Sequence, residues 1–202
     1  CWAVQHTGNT AGFQATGDMR ADCFRGRDRV GWGGFKHFRR EGVPVSKEYD
    51  PFMHTAEHVL NQTMVRMFGC GRSFSSHLNA DKSKCDYHFP RPLEDAEASE
   101  LERRINEVLA QHMPVRTEML PREEAGKLVD LGRLPAHLEG EEELMVRIVT
   151  VGDYDICPCI GEHVENTSEV GAFRLVSHDF TPPQGDEEAG RLRIRFKLKK
   201  NA

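Results

Sequence analysis

Residues 50–69 read DPFMHTAEHVLNQTMVRMFG, which is the pattern of a complete amphipathic helix. Asp50 can cap the helix, and Pro51 is tolerated at its first position, where no backbone N–H is needed. Apolar side chains recur at helical spacing: Met53, Ala56, Val59, Leu60, Met64 and Met67. Gly69 is typical of the residue at which a helix ends. The sequence therefore predicts a helix from Pro51 to the residue before Gly69.

Downstream of this helix, patterns typical of strands and of helices follow one another. Strands are predicted at residues 75–78, 85–89, 115–120, 144–151 and 172–176, and helices from Pro92 onward and over residues 121–129. Short polar turns separate these elements. The sequence therefore predicts an α+β fold with a mainly antiparallel sheet packed against helices.

The C-terminal stretch gives the clearest strand. Residues 191–199 read RLRIRFKLK, so apolar and cationic side chains alternate strictly. A period of two places Leu192, Ile194 and Phe196 on one face of the strand and the cations on the other. Two interpretations of the cations stay open: they contact RNA phosphates, or they protect an edge strand from pairing with another chain.

The composition is that of an ordinary globular protein. The 202 residues carry a net charge of −5, which gives no general attraction for nucleic acid. They include no apolar run of the roughly 20 residues that a membrane-spanning helix needs, and no pattern of a secretory signal. We therefore expect a cytoplasmic protein without a membrane partner, in which residues 51–202 form one domain.

Residues 1–50 differ from the rest of the chain. They contain both tryptophans and 8 of the 18 glycines, without sustained helical or strand periodicity. Two interpretations stay open. The stretch is a native N-terminal extension, or it lies upstream of a true start at Met19 or Met53 and never folds. The sequence therefore assigns no structure to it.

The first helix carries two histidines that can share a metal ion. His54 and His58 are four residues apart, so on a helix their side chains lie on one face, roughly 6 Å from each other. Two imidazoles in that arrangement can both reach a zinc ion at about 2.0–2.1 Å. The alternative for the pair alone is a polar face or a core contact.

A second pair of candidate ligands follows in Cys157-Pro-Cys159-Ile-Gly-Glu-His163. Cys159 and His163 can meet one metal across the glycine turn, and a thiolate combined with imidazoles favours zinc. Each pair supplies half of a tetrahedral site, so the two pairs together predict one zinc ion held by His54, His58, Cys159 and His163.

The paired motifs resemble the editing domain shared by alanyl- and threonyl-tRNA synthetases, the second additional domain, and its free-standing AlaX relatives. The family's HxxxH is matched by His54 and His58, and its later CxxxH by Cys159 and His163. Residues 163–177, HVENTSEVGAFRLVS, and residues 76–89 also resemble the segments that surround these motifs in the family. The resemblance covers about Pro51 to Asp179, and no ATP-binding synthetase core would fit in this chain.

The resemblance implies a zinc-dependent hydrolase that acts on a mischarged aminoacyl-tRNA, with tRNA as its partner. The expected substrates are serine or glycine attached to the tRNA for alanine, and the expected nucleophile is a zinc-bound water. Glu57 is the candidate general base, with a solvated or ligand-supporting carboxylate as the alternative. Four protein ligands are typical of a structural zinc, so the sequence leaves the role of the ion open. One ligand yields to water, the coordination expands, or zinc only orders the pocket and anchors the amino group of the substrate.

Two departures from the family pattern bear on the site. The synthetases usually have Cys-Gly-Gly-Thr-His, whereas this chain has Cys159-Ile-Gly-Glu162-His163. Cys157 is an additional thiol that can replace Cys159 as the ligand, although Cys159 keeps the family spacing.

Two other functions fit part of the sequence. His54-Thr-Ala-Glu57-His58 also matches the H-x-x-E-H motif of zinc peptidases, with Glu57 as the base and a distant carboxylate as a further ligand. The third hypothesis is a structural zinc in an RNA-binding module that catalyses nothing.

Overall fold

The computed structural model describes residues 4–5, 50–131 and 144–199. It contains the helices α1 (Pro51–Phe68), α2 (Asp95–Leu109) and α3 (Arg122–Leu128) and the strands β1 (Val4–Gln5), β2 (Ser75–His77), β3 (Ser83–Phe89), β4 (Val115–Pro121), β5 (Met145–Val151), β6 (Asp155–Pro158), β7 (Ala172–Thr181) and β8 (Gly190–Lys199). The predictions for residues 1–3 and 6–49 lie outside the described residues.

The helix α1 forms as its sequence predicts. The carboxylate of Asp50 accepts hydrogen bonds from the backbone N–H groups of Phe52 and Met53 at 2.9 and 3.1 Å, which satisfies two donors that the first turn leaves unpaired. The helix ends at Gly69, whose φ of 63° is readily adopted only by glycine. Both ends of the helix that carries the histidine pair are therefore set locally.

The strands form two antiparallel sheets of four strands each. In the first, β5 pairs with β4 on one side and with β1 and β6 on the other. In the second the order is β2–β3–β8–β7. The predicted α+β fold with antiparallel sheets is confirmed, and all described residues belong to one compact unit.

The main core lies between the inner face of the second sheet and the helices α1 and α2. Leu192, Ile194 and Phe196 of β8 are fully buried there, as their alternation predicts. Burial of such side chains stabilises a fold by about 1.5–3 kcal/mol each. A smaller cluster joins α3 to the first sheet.

Several boundaries differ from the sequence-based predictions. The helix predicted from Pro92 begins only at Asp95, because Glu94 and Glu97 form a capping box there. The strand predicted over residues 172–176 continues to Thr181, and β6 was not predicted. The edge-strand interpretation of residues 191–199 is wrong, since β8 has a partner strand on both sides.

No helix among the described residues is both long and apolar enough to cross a membrane.

Candidate metal centre

The structure brings the four predicted ligands together. His54 and His58 lie on α1, and Cys159 and His163 lie in the loop after β6. One ligand atom from each lies within 4.8 Å of the other three. Nε2 of His54 and Sγ of Cys159, from residues 105 positions apart in the sequence, are separated by only 3.2 Å.

The geometry and the donor set fit a metal ion. Ligand atoms at 2.0–2.3 Å from a tetrahedral zinc are roughly 3.3–3.7 Å from one another, so even the widest separation in the cluster needs to shorten by only about 1.5 Å or less. In the part of the chain that the structure describes, Nε2 of His58 and both ring nitrogens of His163 are buried without a hydrogen-bond partner. Buried polar atoms rarely stay unsatisfied, and coordination to a cation would satisfy them.

Two contacts hold the loop of Cys159 over α1. The guanidinium of Arg147, on β5, donates to the backbone carbonyls of Cys159 and Gly161 at 2.6 and 2.7 Å. The backbone N–H of Val164 donates to Oγ1 of Thr55 on α1 at 3.2 Å. The loop is therefore tied to both the sheet and the helix, which places its thiol next to the imidazoles.

Gly161 is needed at its position because the loop passes directly over the ring of His54. A Cβ atom at residue 161 would lie 1.8 Å from Cε1 and 1.9 Å from Nδ1 of that ring. Only a residue without a side chain leaves room for this imidazole.

A buried carboxylate orients one of the histidines. Oδ2 of Asp155 accepts a hydrogen bond from Nδ1 of His58 at 2.8 Å, which leaves Nε2 directed at the cluster. Arg72 donates to both oxygens of Asp155, at 2.5 and 3.1 Å. Burial alone raises the pKa of Asp155, but the hydrogen bond from His58 and the charge of Arg72 lower it to about 2, so the carboxylate stays ionised.

The charges around the cluster favour a cation. Burial alone raises the pKa of the Cys159 thiol, but the imidazoles of His163, His54 and His58 lower it well below its usual range. Burial lowers the pKa of His58, whereas its contacts with Asp155 and Cys159 raise it. The centre therefore stabilises a thiolate, which is the form of cysteine that binds metals.

Comparison with known proteins finds a family that the C-terminal part of the chain resembles. Residues 146–195, which include Cys159 and His163, match the family model for the threonyl and alanyl tRNA synthetase second additional domain. This part of the chain is similar to the second additional domain. The resemblance expected from the HxxxH and CxxxH motifs is confirmed.

The chain is also similar to proteins named alanine–tRNA ligase. The chain is 29% identical over 154 residues to the alanine–tRNA ligase of Treponema denticola, which covers 75% of this chain and 25% of the relative. It is 28% identical over 194 residues to that of Treponema pallidum, covering 95% and 29%. It is 31% identical over 136 residues to that of Bdellovibrio bacteriovorus, covering 66% and 14%. The chain thus spans less than a third of the length of these relatives.

A cleft of about 730 Å³ lies beside the cluster of candidate ligands, and Glu57 and Cys157 form part of its wall. Glu57 is only 2% exposed, and its Oε1 accepts hydrogen bonds from Asn61, Ser73 and Ser76 at 2.7, 3.3 and 3.0 Å. Burial raises the pKa of Glu57, but the charges of His58, His54 and Arg72 outweigh it and lower the pKa. Glu57 is therefore ionised and held in a fixed position between the centre and the cleft.

The thiol of Cys157, the alternative ligand, does not join the cluster of candidate ligands. It is not part of the group of four converging ligands, and its Sγ donates to the backbone carbonyl of Pro158 at 3.3 Å. Burial raises the pKa of its thiol, although Arg72 and His58 oppose this shift. Cys159 is therefore the better placed ligand.

Sequence reasoning missed Asp155, Arg72 and Arg147, the residues that support the ligands. None of them stands in a motif, and their roles follow only from pairings such as β6 with β5, which a single sequence does not reveal. A weak signal exists for Asp155, since metal-binding histidines commonly donate their second N–H to a carboxylate.

Proposed function

We propose that residues 51–202 form a zinc-dependent hydrolase domain that releases a wrongly attached amino acid from tRNA. The observation that carries the proposal is the convergence of His54, His58, Cys159 and His163 beside a cleft. The match of residues 146–195 to the second additional domain supports it. The relatives' name, alanine–tRNA ligase, supports the tRNA for alanine as the nucleic-acid partner.

The four clustered residues would hold the ion. Zinc is favoured over other abundant divalent ions because the donors are three imidazoles and one thiolate. A bound zinc supplies Lewis acidity, which polarises an ester carbonyl and lowers the pKa of a nearby water.

The chain's own residues would prepare the reaction in two ways. Asp155 and Arg72 hold the imidazole of His58 in one orientation, so the site needs little rearrangement. Glu57, ionised and fixed at the cleft wall, would accept the proton of the attacking water as a general base. The hydrogen bonds on its Oε1 make it a weaker base than a free carboxylate, but they fix its direction.

Serine and glycine are the proposed amino acids. A pocket that selects alanine excludes glycine weakly, because one methyl group is worth only about 1–3 kcal/mol, and it rejects an added hydroxyl poorly. A second site that hydrolyses the wrong ester supplies the missing discrimination.

The peptidase hypothesis for His54-Thr-Ala-Glu57-His58 has less support than this proposal. It leaves Cys159 and His163 without a role, although both converge on the histidine pair. The described residues place no carboxylate in the ligand cluster, and Asp155 contacts Nδ1 of His58 instead.

The deciding experiment is deacylation of the tRNA for alanine charged with radiolabelled serine, glycine or alanine. We expect the zinc-loaded chain to release serine or glycine, and to release alanine at least about tenfold more slowly. Treatment with a chelator should stop the release, and added zinc should restore it. Absence of release from all three esters by a zinc-loaded, folded chain would leave the non-catalytic zinc module as the better explanation.

The same assay tests Glu57 through Glu57→Gln. A glutamine oxygen can still accept from Asn61, Ser73 and Ser76, so the cleft wall should remain intact. We expect kcat to fall about 100-fold or more, with unchanged zinc content, because general-base catalysis contributes about 10²–10⁴-fold. Glu162→Gln is the matched control, since this exposed carboxylate lies next to a ligand in the sequence. A loss of less than tenfold for Glu57→Gln would assign this residue a purely structural role.

A further inference from the structure

We propose that Phe74 and His88, together with the cations of β8, form a docking track for the single-stranded end of an RNA, with a base stacked on Phe74. This inference rests on the proposed function, because it names the surface that would deliver the ester to the metal centre. Three observations carry it: the charge of one sheet face, an exposed aromatic pair, and the position of that pair.

The outer face of the second sheet is strongly basic although the whole chain has a net charge of −5. Strand register and alternation place these cations on it: Lys84 of β3, Arg174 of β7, and Arg191, Arg193, Arg195, Lys197 and Lys199 of β8. The acidic side chains among them are Asp86, which pairs with Arg193 at 2.7 Å, and Asp179, which pairs with Arg195. Arg174 pairs with Glu102 of α2 at 2.7 Å.

The remaining cations of this face are available to a polyanion. Within the described residues, Lys84, Arg191, Lys197 and Lys199 form no ion pair, and the last three are exposed. Successive outward side chains along a strand are about 7 Å apart, so β8 presents a row of separate charges. Charge complementarity therefore favours a chain of phosphates as the occupant of this face.

An aromatic pair stands at one end of this row. The rings of Phe74 and His88 are stacked with centroids 4.3 Å apart and an interplanar angle of 24°. Phe74 is 41% exposed, and it is the one aromatic side chain among the exposed large hydrophobic residues that the structure describes. His88 lies directly opposite Arg191 in the register of β3 and β8.

The aromatic pair lies where the basic face of the sheet meets the cleft that contains Glu57. Phe74 and His88 line the cleft that contains Glu57, and they also line a neighbouring cavity that contains Arg191. Glu187 and Glu188 also border the neighbouring cavity and would repel phosphates, so the phosphates would extend from Arg191 along the outward cations of β8. A nucleotide stacked on Phe74 would thus have its phosphates toward β8 and its ester toward the cleft.

This combination of features suits single-stranded RNA. Cationic tracks bind the backbone, and aromatic side chains stack on bases without regard to sequence. The same pair of features explains how a chain with a net negative charge can bind RNA through a local surface.

The test measures binding of the full chain to an end-labelled RNA of eight nucleotides by fluorescence anisotropy between 50 and 200 mM salt. We expect Phe74→Ala to weaken binding roughly tenfold, since this is the usual effect of removing a stacked aromatic residue. Phe74→Trp, which keeps a stacking ring, should bind as the wild type does. In deacylation, Phe74→Ala should raise KM and leave kcat nearly unchanged.

Variants of the cations supply an independent readout. The triple variant Arg191→Gln, Lys197→Gln and Lys199→Gln should flatten the dependence of log affinity on log salt by about 0.7 for each phosphate that the protein no longer neutralises. The matched control replaces Arg103, Arg104 and Lys127 with glutamine on the helices α2 and α3. Thermal unfolding confirms that each variant is folded.

Wild-type binding by Phe74→Ala, or equal changes of slope in both triple variants, would overturn the docking track. Because RNA binding is measured without hydrolysis, failure of the two proposals can be told apart. Binding that depends on Phe74 without release of any amino acid would overturn the hydrolase and keep the track. Release of the amino acid that is unaffected by the Phe74 and β8 variants would overturn the docking track and keep the hydrolase.

Discussion

Cys159→Ala should greatly weaken zinc binding and deacylation together. The thiolate is the one anionic ligand in the cluster, its Sγ lies 3.2 Å from Nε2 of His54, and it is fully buried. Its removal leaves three imidazoles without the charge that makes the centre attractive to a divalent cation. Changes beyond the direct ligands already weaken metal binding by about 10–100-fold, so we expect a loss of affinity greater than 100-fold. Zinc content after dialysis and competition with a coloured chelator measure it.

Cys157→Ala is the matched control for this variant. It removes a thiol two residues away that lies outside the ligand cluster. We expect zinc content within about twofold of the wild type, because the four coordinating groups remain. The opposite ranking, with zinc lost from Cys157→Ala and retained by Cys159→Ala, would make Cys157 the ligand and refute the geometry of the loop.

Gly161→Ala should weaken zinc binding almost as much as Cys159→Ala does, although residue 161 is not a candidate ligand. The added Cβ would overlap the ring of His54 at 1.8–1.9 Å, a separation that no real contact tolerates. The loop cannot simply retreat, because Arg147 holds the carbonyl groups of Cys159 and Gly161. Either the imidazole or the thiol-bearing loop must therefore leave its position. We expect a decrease in zinc affinity of about 100-fold or more, measured by the same chelator competition.

Gly71→Ala is the control for this substitution. A Cβ at residue 71 meets nothing within 4 Å, so the change adds the same methyl group without a clash. Zinc affinity should stay within about twofold of the wild type, and thermal stability should be nearly unchanged. If Gly161→Ala kept its zinc, the loop would have to be far more adaptable than its contacts with β5 and α1 imply.

Local patterns were sufficient to predict most of the elements and all four candidate ligands. The helix α1 has its cap, its apolar spacing and its terminal glycine within 20 residues of sequence, and β8 has a strict alternation. The spacing of each ligand pair also depends only on local geometry. For these features, short-range physical rules and the final structure agree.

Local sequence patterns did not predict the strands and contacts that depend on pairing between distant parts of the chain. The strand β6 is four residues long and contains a proline and an aspartate, so only its pairing with β5 makes it a strand. The interior position of β8 depends on its pairing with β3, which lies in a distant part of the sequence, in addition to the neighbouring β7. The roles of Asp155 and Arg72 arise where β6 meets α1, and neither residue carries a local signal of its own.

The origin of the two ligand pairs has a consequence for the order in which the molecule assembles. His54 and His58 come into position as soon as one helix forms, whereas Cys159 and His163 reach them only after more than a hundred intervening residues have been arranged. Closing such a long loop is a slow step with a large entropic cost. A zinc ion would therefore bind late in folding and would then cross-link the two ends of that loop. Loss of the ion from the mature molecule should loosen the region where α1 meets β6 before it affects either sheet.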